Sequence, residues 1–181
     1  MLEDVLIRHA APTLAGLKTG NLFPCAAYPA LAEEVRAYDR LLASKGMRLL
    51  SLRHTEVQAL LYLYRPARLR RDLAVPEARR LLHEAGYADL RCERCLGELA
   101  RRLRAFRDFP HEIGLFLSYP PEDVRGFIEH RGRGCKCGGC WKVYGDAGRA
   151  QALFRAYRQC TDCYCKRHAM GDPVERLAVA M

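Results

Sequence analysis

Six cysteines in the last third of the chain are the residues whose type and spacing point most directly to chemistry. They read Cys135-Lys-Cys137-Gly-Gly-Cys140 and Cys160-Thr-Asp-Cys163-Tyr-Cys165, that is C-x-C-x₂-C followed by its mirror image. Taken as C-x₂-C pairs, Cys137/Cys140 and Cys160/Cys163 stand 19 residues apart, which is within zinc-ribbon-like spacing. Two thiols three positions apart on a tight turn can grip one ion. Gly138-Gly139 supplies permissive backbone, and four thiolates complete a tetrahedral shell. An iron–sulfur cluster also needs four thiolates, so zinc and iron–sulfur both remain open. Cys135, Cys165 and His168 enlarge the choice of shell, and the region 132–168 reads as a Cys-rich metal-binding subregion. The bland alternative is a set of buried thiols that simply pack. Cys92-Glu-Arg-Cys95 adds a pair inside a predicted helix, where i and i+3 share a face. A thioredoxin-type motif would instead follow a strand and open a helix. Cys25 stands alone.

Composition sets the frame for that chemistry. The chain has 181 residues, with Lys+Arg 30 against Asp+Glu 21, a net charge of +9 and 9 cysteines. This is the size of one ordinary domain. The odd cysteine count argues against a fully paired disulfide framework. No apolar run reaches 18 residues, so no transmembrane helix is expected. Glu3 and Asp4 stand where a secretory signal would be positive, and the expectation is a cytoplasmic protein whose thiols stay reduced. The positive excess is mostly arginine, in runs such as Arg65-Pro-Ala-Arg68-Leu-Arg70-Arg71 and Arg101-Arg102-Leu-Arg104. An Arg, Ala and Leu-rich sequence is also what a GC-rich genome yields, and charges on helices commonly face water. Nucleic-acid binding through these runs is the weaker reading, because one tryptophan and 9% aromatics offer little stacking surface.

The elements that must position these residues follow from periodicity. Leu2, Val5, Leu6, Ala10, Thr13 and Leu14 give a first amphipathic helix ended by Gly16. A loop, LKTGNLFPCAAY, leads to a helix opened by Pro29 and stopped near Gly46. Met47 to Arg53 and Gln58 to Arg65 read as strands, and the unbroken ALLYLY of the second marks a central strand covered on both faces. Short helices follow Pro66 and Pro76, and a longer one spans about 90–107. Glu112-Ile-Gly-Leu-Phe-Leu reads as a third buried strand. Pro120-Pro121-Glu-Asp opens a helix with acids at its positive end, Trp141-Lys-Val-Tyr144 alternates as a fourth strand, and Asp146 caps a last helix. The sum is a single α+β domain over 1–181, with a small mixed sheet of about four strands and helices packed against it.

Several segments taken together carry a resemblance. They are His9-Ala-Ala-Pro12-Thr13-Leu-Ala-Gly16-Leu-Lys18, ALLYLYRPARLRRDL, PHEIGLFLSYPPEDVRGFIEHRG followed by WKVYG, and the closing Glu175-Arg-Leu-Ala-Val. Over nearly its whole length the chain resembles a bacterial family known as domain of unknown function 3793. The resemblance implies a single-domain cytosolic protein of anaerobic bacteria and brings no established activity. Relatives often carry Cys where this chain has Ala10 and fewer cysteines around WKVY, which makes the Cys cluster a local elaboration.

The polar residues of the shared segments form a second candidate site: His9, Thr13, Lys18, Arg65, His111 and Glu112. His9 lies four residues from Val5 and four from Thr13, toward the apolar stripe. Arg65 ends one buried strand and His111-Glu112 begin another, so the two ends meet only if those strands are antiparallel neighbours. Such a cluster would bind an anionic small molecule, a phosphorylated or tetrapyrrole ligand, or run acid–base chemistry. The structural alternative is Thr13 bonding within its helix and Arg65 pairing Asp72 or Glu112. The leading expectation is a metal-binding protein with a structural or sensing role, and an enzyme or redox-ligand protein with a basic pocket is the alternative. Oligomeric state is open at this level.

Overall fold

The computed structural model describes residues 1–105 and 109–180. In chain order it contains α1 (Leu2–Leu14), β1 (Gly20–Ala26), α2 (Leu31–Ala43), β2 (Arg48–His54), β3 (Gln58–Tyr64), α3 (Pro66–Ala74), α4 (Pro76–Glu84) and α5 (Cys92–Ala105). A 3₁₀ helix (His111–Leu117), α6 (Pro121–His130), β4 (Cys137–Gly138), β5 (Lys142–Val143), α7 (Ala147–Ala169) and α8 (Val174–Leu177) follow. The class is α+β, as expected. The chain forms two compact units, Met1–Ala67 with the segment from Tyr157 onward, and Arg68–Ala156.

The first unit is built on a three-stranded sheet in the order β1-β3-β2, antiparallel throughout. Its core gathers Leu2, Leu6, Ile7 and Leu14 of α1, Leu31 and Leu42 of α2, and Phe23, Leu61 and Leu63 of the sheet, with Val174 and Leu177 from α8. These are the i, i+3/i+4 positions of amphipathic helices meeting alternate positions of strands. Gly16 and Gly46 take positive φ of 77° and 75° just beyond α1 and α2, where only a residue without Cβ turns the chain at no steric cost.

β1 lies in the segment expected as a loop. Gly20 and Pro24 hide its pattern, but Pro24 is tolerated because β1 is an edge strand and the missing N–H is not needed by an outer neighbour.

The second unit holds α4, α5, the 3₁₀ helix, α6 and a two-stranded hairpin of β4 and β5, with the register Cys137↔Val143 and Gly138↔Lys142. The expected mixed sheet of about four strands is therefore two separate antiparallel ladders. The buried strand expected at Glu112–Leu117 is the 3₁₀ helix. A five-residue apolar run, Ile113 to Leu117, carries no period that separates a strand from a buried helical turn. Here Pro110 bounds it on one side, and Ser118 in the left-handed region followed by Pro120-Pro121 closes the other. The end expected for α5 at Arg107 lies outside the described residues. The expected cap at Asp146 is present, with the Arg149 amide donating to Asp146 Oδ1 at 2.9 Å.

Two glycines let the hairpin seat closely in this unit. A Cβ at Gly126 of α6 would fall 2.4 Å from the Tyr144 ring, and one at Gly139 would fall 2.3 Å from the Phe154 ring. Gly126 costs its helix about 1 kcal/mol relative to alanine, and close packing of Tyr144 is what that cost permits. Among the described residues no helix is long and apolar enough to cross a membrane.

Candidate functional site

Four of the sequence-predicted site residues lie in the first unit, where Thr13, Lys18 and Arg65 are buried and His9 is exposed. Arg65 follows β3 and is 2% exposed. Its Nε donates to Thr13 O at 2.9 Å, and its Nη2 donates to Leu14 O at 2.9 Å and Val179 O at 2.8 Å. Thr13 and Leu14 end α1, so Arg65 satisfies carbonyls the helix leaves open and sits at the negative end of its dipole. Thr13 is buried and its hydroxyl donates to Asn21 Oδ1 at 2.7 Å, a cross-element bond where one within the helix was considered. Lys18 is 5% exposed, with its ammonium 5.8 Å from the centroid of the Tyr157 ring. His9 is exposed, its ring stacked on Phe23 at 5.9 Å and 7°. Partial desolvation first, then the neighbouring Arg8, holds its pKa below the ordinary imidazole value.

Glu112 and His111 lie in the second unit and part company there. Glu112 turns inward, accepting from Tyr87 Oη at 3.1 Å and from Arg102 Nη1 at 3.0 Å. The Arg102 guanidinium also lies over the Tyr87 ring at 4.3 Å. This is a buried tether between the 3₁₀ helix and α5, and desolvation with the Glu112 charge raises the Tyr87 phenol.

His111 faces the other way, into a cleft of about 1100 Å³. The 3₁₀ helix, α6 and the β4–β5 hairpin form its walls. One wall carries Tyr119 stacked on Trp141, with centroids 4.8 Å apart. Another carries Phe127 edge-on to His111 at 5.2 Å and 77°. Arg131 and Lys142 supply cations. Arg131 is the left-handed C-cap of α6, and its Nη1 lies 3.4 Å from His111 Nε2. Arginine only donates, so in this contact Nε2 accepts and the ring carries its proton on Nδ1.

Among the described residues Asp123 is the acid on the wall. It is buried, and its carboxylate is saturated by Trp141 Nε1, Tyr144 N and Gly145 N, each at 2.7 Å. It therefore fastens the hairpin to α6, and among the described residues Arg131 and Lys142 are the charged groups left open on the cleft wall. Of the residues the sequence singled out, His111 lines this cleft, and Asp123, Arg131 and Lys142 were not among them. The signal for Asp123 was present as an acid in the first turn of α6, and it served there only as a dipole partner.

The cysteines fall on two different supports. Cys137 and Cys140 flank the hairpin turn, with the Gly139 amide donating to Trp141 O at 3.0 Å and Cys135 two residues upstream. Cys160, Cys163 and Cys165 lie inside α7. On a helix, Cys160 and Cys163 share a face, but Cys165 is turned about 140° from Cys160, and it packs against the apolar core of the first unit. Burial, with the adjacent Cys163, pushes the Cys160 thiol up to about 11. Cys92 and Cys95 are buried in α5, Cys92 likewise pushed up to about 11 by burial. All nine thiols are free. Among the described residues no three His, Cys, Asp or Glu side chains are gathered as a metal-ion group.

The Arg-rich runs are partly paired. Arg70 bonds Glu93, and Arg101 and Arg102 bond Glu98. No curated protein and no solved structure matches the chain. The profile of one family, described as "Protein of unknown function (DUF3793)", matches residues 6–178, and the chain belongs to that family.

Proposed function

We propose that the protein binds an anionic organic small molecule in the cleft between the 3₁₀ helix, α6 and the β4–β5 hairpin. One observation carries this reading. Arg131 and Lys142 stand beside His111 on a wall that is otherwise aromatic and aliphatic among the described residues, and the carboxylate there, Asp123, is saturated by internal donors. Unbalanced cations on an apolar cleft favour a ligand with an apolar body and an anionic end. The basic pocket suggested by the sequence is thereby moved. His111 stays, while Arg131 and Lys142 replace His9, Lys18 and Arg65.

The test uses Trp141, the chain's only tryptophan, which lies in the cleft wall. Titration with anilinonaphthalene sulfonate, an anionic arene, should change its fluorescence saturably. Lys142→Ala or Arg131→Ala should weaken that binding by about tenfold, near the 1.4 kcal/mol of one charge-assisted contact. An unsaturable response that neither variant alters would refute the reading.

A second reading, a zinc ion or iron–sulfur centre on thiolates, is supported by the placement of Cys137 and Cys140 either side of the Gly-Gly turn, with Cys135 adjacent. Metal analysis and a visible spectrum of anaerobically purified protein test it. A stoichiometric metal lost in Cys137→Ser/Cys140→Ser would support it, and metal-free folded protein would refute it.

A further inference from the structure

We infer that the ligand of this cleft is a planar tetrapyrrole carrying carboxylates, held by its ring between aromatic walls and by its acid groups at Arg131 and Lys142. The inference rests on the cleft reading above and narrows it by asking what the cleft lacks.

A nucleotide or sugar phosphate needs acceptors for its base edge or hydroxyls, and backbone amides for its phosphate. Among the described wall residues Asp123 is saturated, the Tyr119 hydroxyl is engaged with Cys140 O, and His111 Nε2 faces Arg131. The helix end nearest the cleft, α6, opens with Glu122 and Asp123, so its positive end already faces two carboxylates. The Gly139 amide, in the glycine turn at the cleft edge, is bonded to Trp141 O. What the cleft offers is cationic donors and ring faces, which suits a ligand whose only polar groups are acids.

Size and shape narrow the choice further. About 1100 Å³ exceeds what a single-ring acid fills. The walls carry aromatic pairs, Tyr119 with Trp141 and Phe127 with His111, beside the aliphatic Ile113, Leu117 and Val124, so a flat ring finds faces to stack on that an open-chain fatty acid does not use. The cations come from different elements, Arg131 from the end of α6 and Lys142 from β5, with Lys142 Nζ lying 3.6 Å from where a Cβ on Gly138 would stand. Two anchors on different elements suit a ligand that carries two carboxylates on one rigid ring. His111 Nε2 lies 3.4 Å from Arg131 Nη1, which sets the imidazole beside that anchor.

The experiment titrates the full chain with protoporphyrin IX, following Trp141 quenching and the porphyrin absorption band. Octaethylporphyrin, flavin mononucleotide and palmitate serve as comparators in the same detergent-free buffer with matched cosolvent. Saturable one-to-one quenching by protoporphyrin IX is expected, weakened tenfold or more in Arg131→Ala/Lys142→Ala and at least as much when octaethylporphyrin, which has the ring but no acids, replaces it. Equal or tighter binding of flavin mononucleotide or palmitate would overturn the inference. So would absence of porphyrin binding by protein that still binds anilinonaphthalene sulfonate, and that result leaves the cleft reading intact. If neither probe binds protein with a normal unfolding transition, both fall.

Discussion

Arg65 and Arg131 show how differently one residue type is used in the two units. Arg65 lies at the end of a central strand with its guanidinium on three main-chain carbonyls, and it is buried. Arg131 ends α6 in the left-handed region, is exposed, and meets the imidazole of His111 at the edge of the cleft. An arginine whose donors are fixed on carbonyls of its own fold has little left to offer a ligand. An arginine whose neighbours are rings and another base keeps its charge available. The distinction depends on where the acceptors are, which neither residue type nor sequence spacing records.

The largest effect should come from the buried member of the pair. Arg65→Met removes three hydrogen bonds from a charged, buried donor, each worth about 1.5 to 3 kcal/mol, while Thr13 O keeps the Gly16 amide and Leu14 O keeps the Val179 amide. A loss of roughly 3 kcal/mol or more is expected in the denaturant midpoint, with cleft binding unaffected wherever the variant is folded. If the variant were as stable as the parent and lost anilinonaphthalene sulfonate binding, the assignment of Arg65 to structure would be reversed.

Asp123 gives the next largest effect. Asp123→Ala removes the acceptor for the Trp141 indole and for two backbone amides, and should cost about 2 kcal/mol. Because this carboxylate fastens the hairpin that brings Lys142 and Trp141 to the cleft, ligand binding should fall with it. Asp123→Asn keeps an acceptor oxygen and should recover part of both. A variant that lost stability but bound normally would separate the hairpin from the site.

How far the sequence reveals these features depends on how local their causes are. The helix stops at Gly16 and Gly46 and the cap at Asp146 are local, and each is where periodicity and capping place it. β3 is equally legible because six consecutive apolar residues suit a strand buried on both faces. β1 is not, since Gly20 and Pro24 are edge-strand residues and read as a turn. The 3₁₀ helix at His111–Leu117 fails for the opposite reason: its run is so apolar that it has no period. At the site, His111 was visible through its neighbours. Arg131 and Lys142 were not, because their role depends on a hairpin laid against α6 through Asp123, a contact of 18 to 22 residues' separation.

A smaller effect concerns the pH range in which the first unit is most stable. His168 Nδ1 lies 3.1 Å from Asp172 O and its Nε2 lies 3.1 Å from Asp4 Oδ1. The Asp172 carbonyl first, then the Asp4 carboxylate, raises the imidazole pKa, and the hydrogen bond from His168 lowers that of Asp4. A raised folded value means that the His168 contribution is complete below the unfolded value near 6.5 and disappears as pH rises through the folded value. The Asp4 contribution is complete above its ordinary value of 3.8 and disappears as pH falls through its lowered one. Asp4 is largely exposed, so solvent screening keeps the effect small. Midpoints measured from pH 5 to 8.5 should decline on the alkaline side in the parent, and less in His168→Gln. Parallel curves would remove His168 from the account.

The two cysteine triplets allow the finest comparison, one of rate rather than stability. Cys140 on the hairpin turn and Cys163 on α7 are exposed, whereas Cys160, one helical turn before Cys163, is half-buried with its thiol pushed up to about 11. The thiolate is the reactive species, and a group with that value is ionised to about one part in a thousand at pH 8. Timed maleimide labelling read by peptide mass spectrometry should therefore modify Cys140 and Cys163 first and Cys160 much later. Cys25 and Cys95, buried and raised by desolvation, should react only on unfolding. Equal rates at Cys160 and Cys163 would mean that α7 does not hold them in these environments. If Cys137 and Cys140 resist labelling together until a chelator is added, the hairpin thiols are metal ligands and the helix thiols are packing residues. The mirror-image spacing in the sequence would then describe two structures with different tasks.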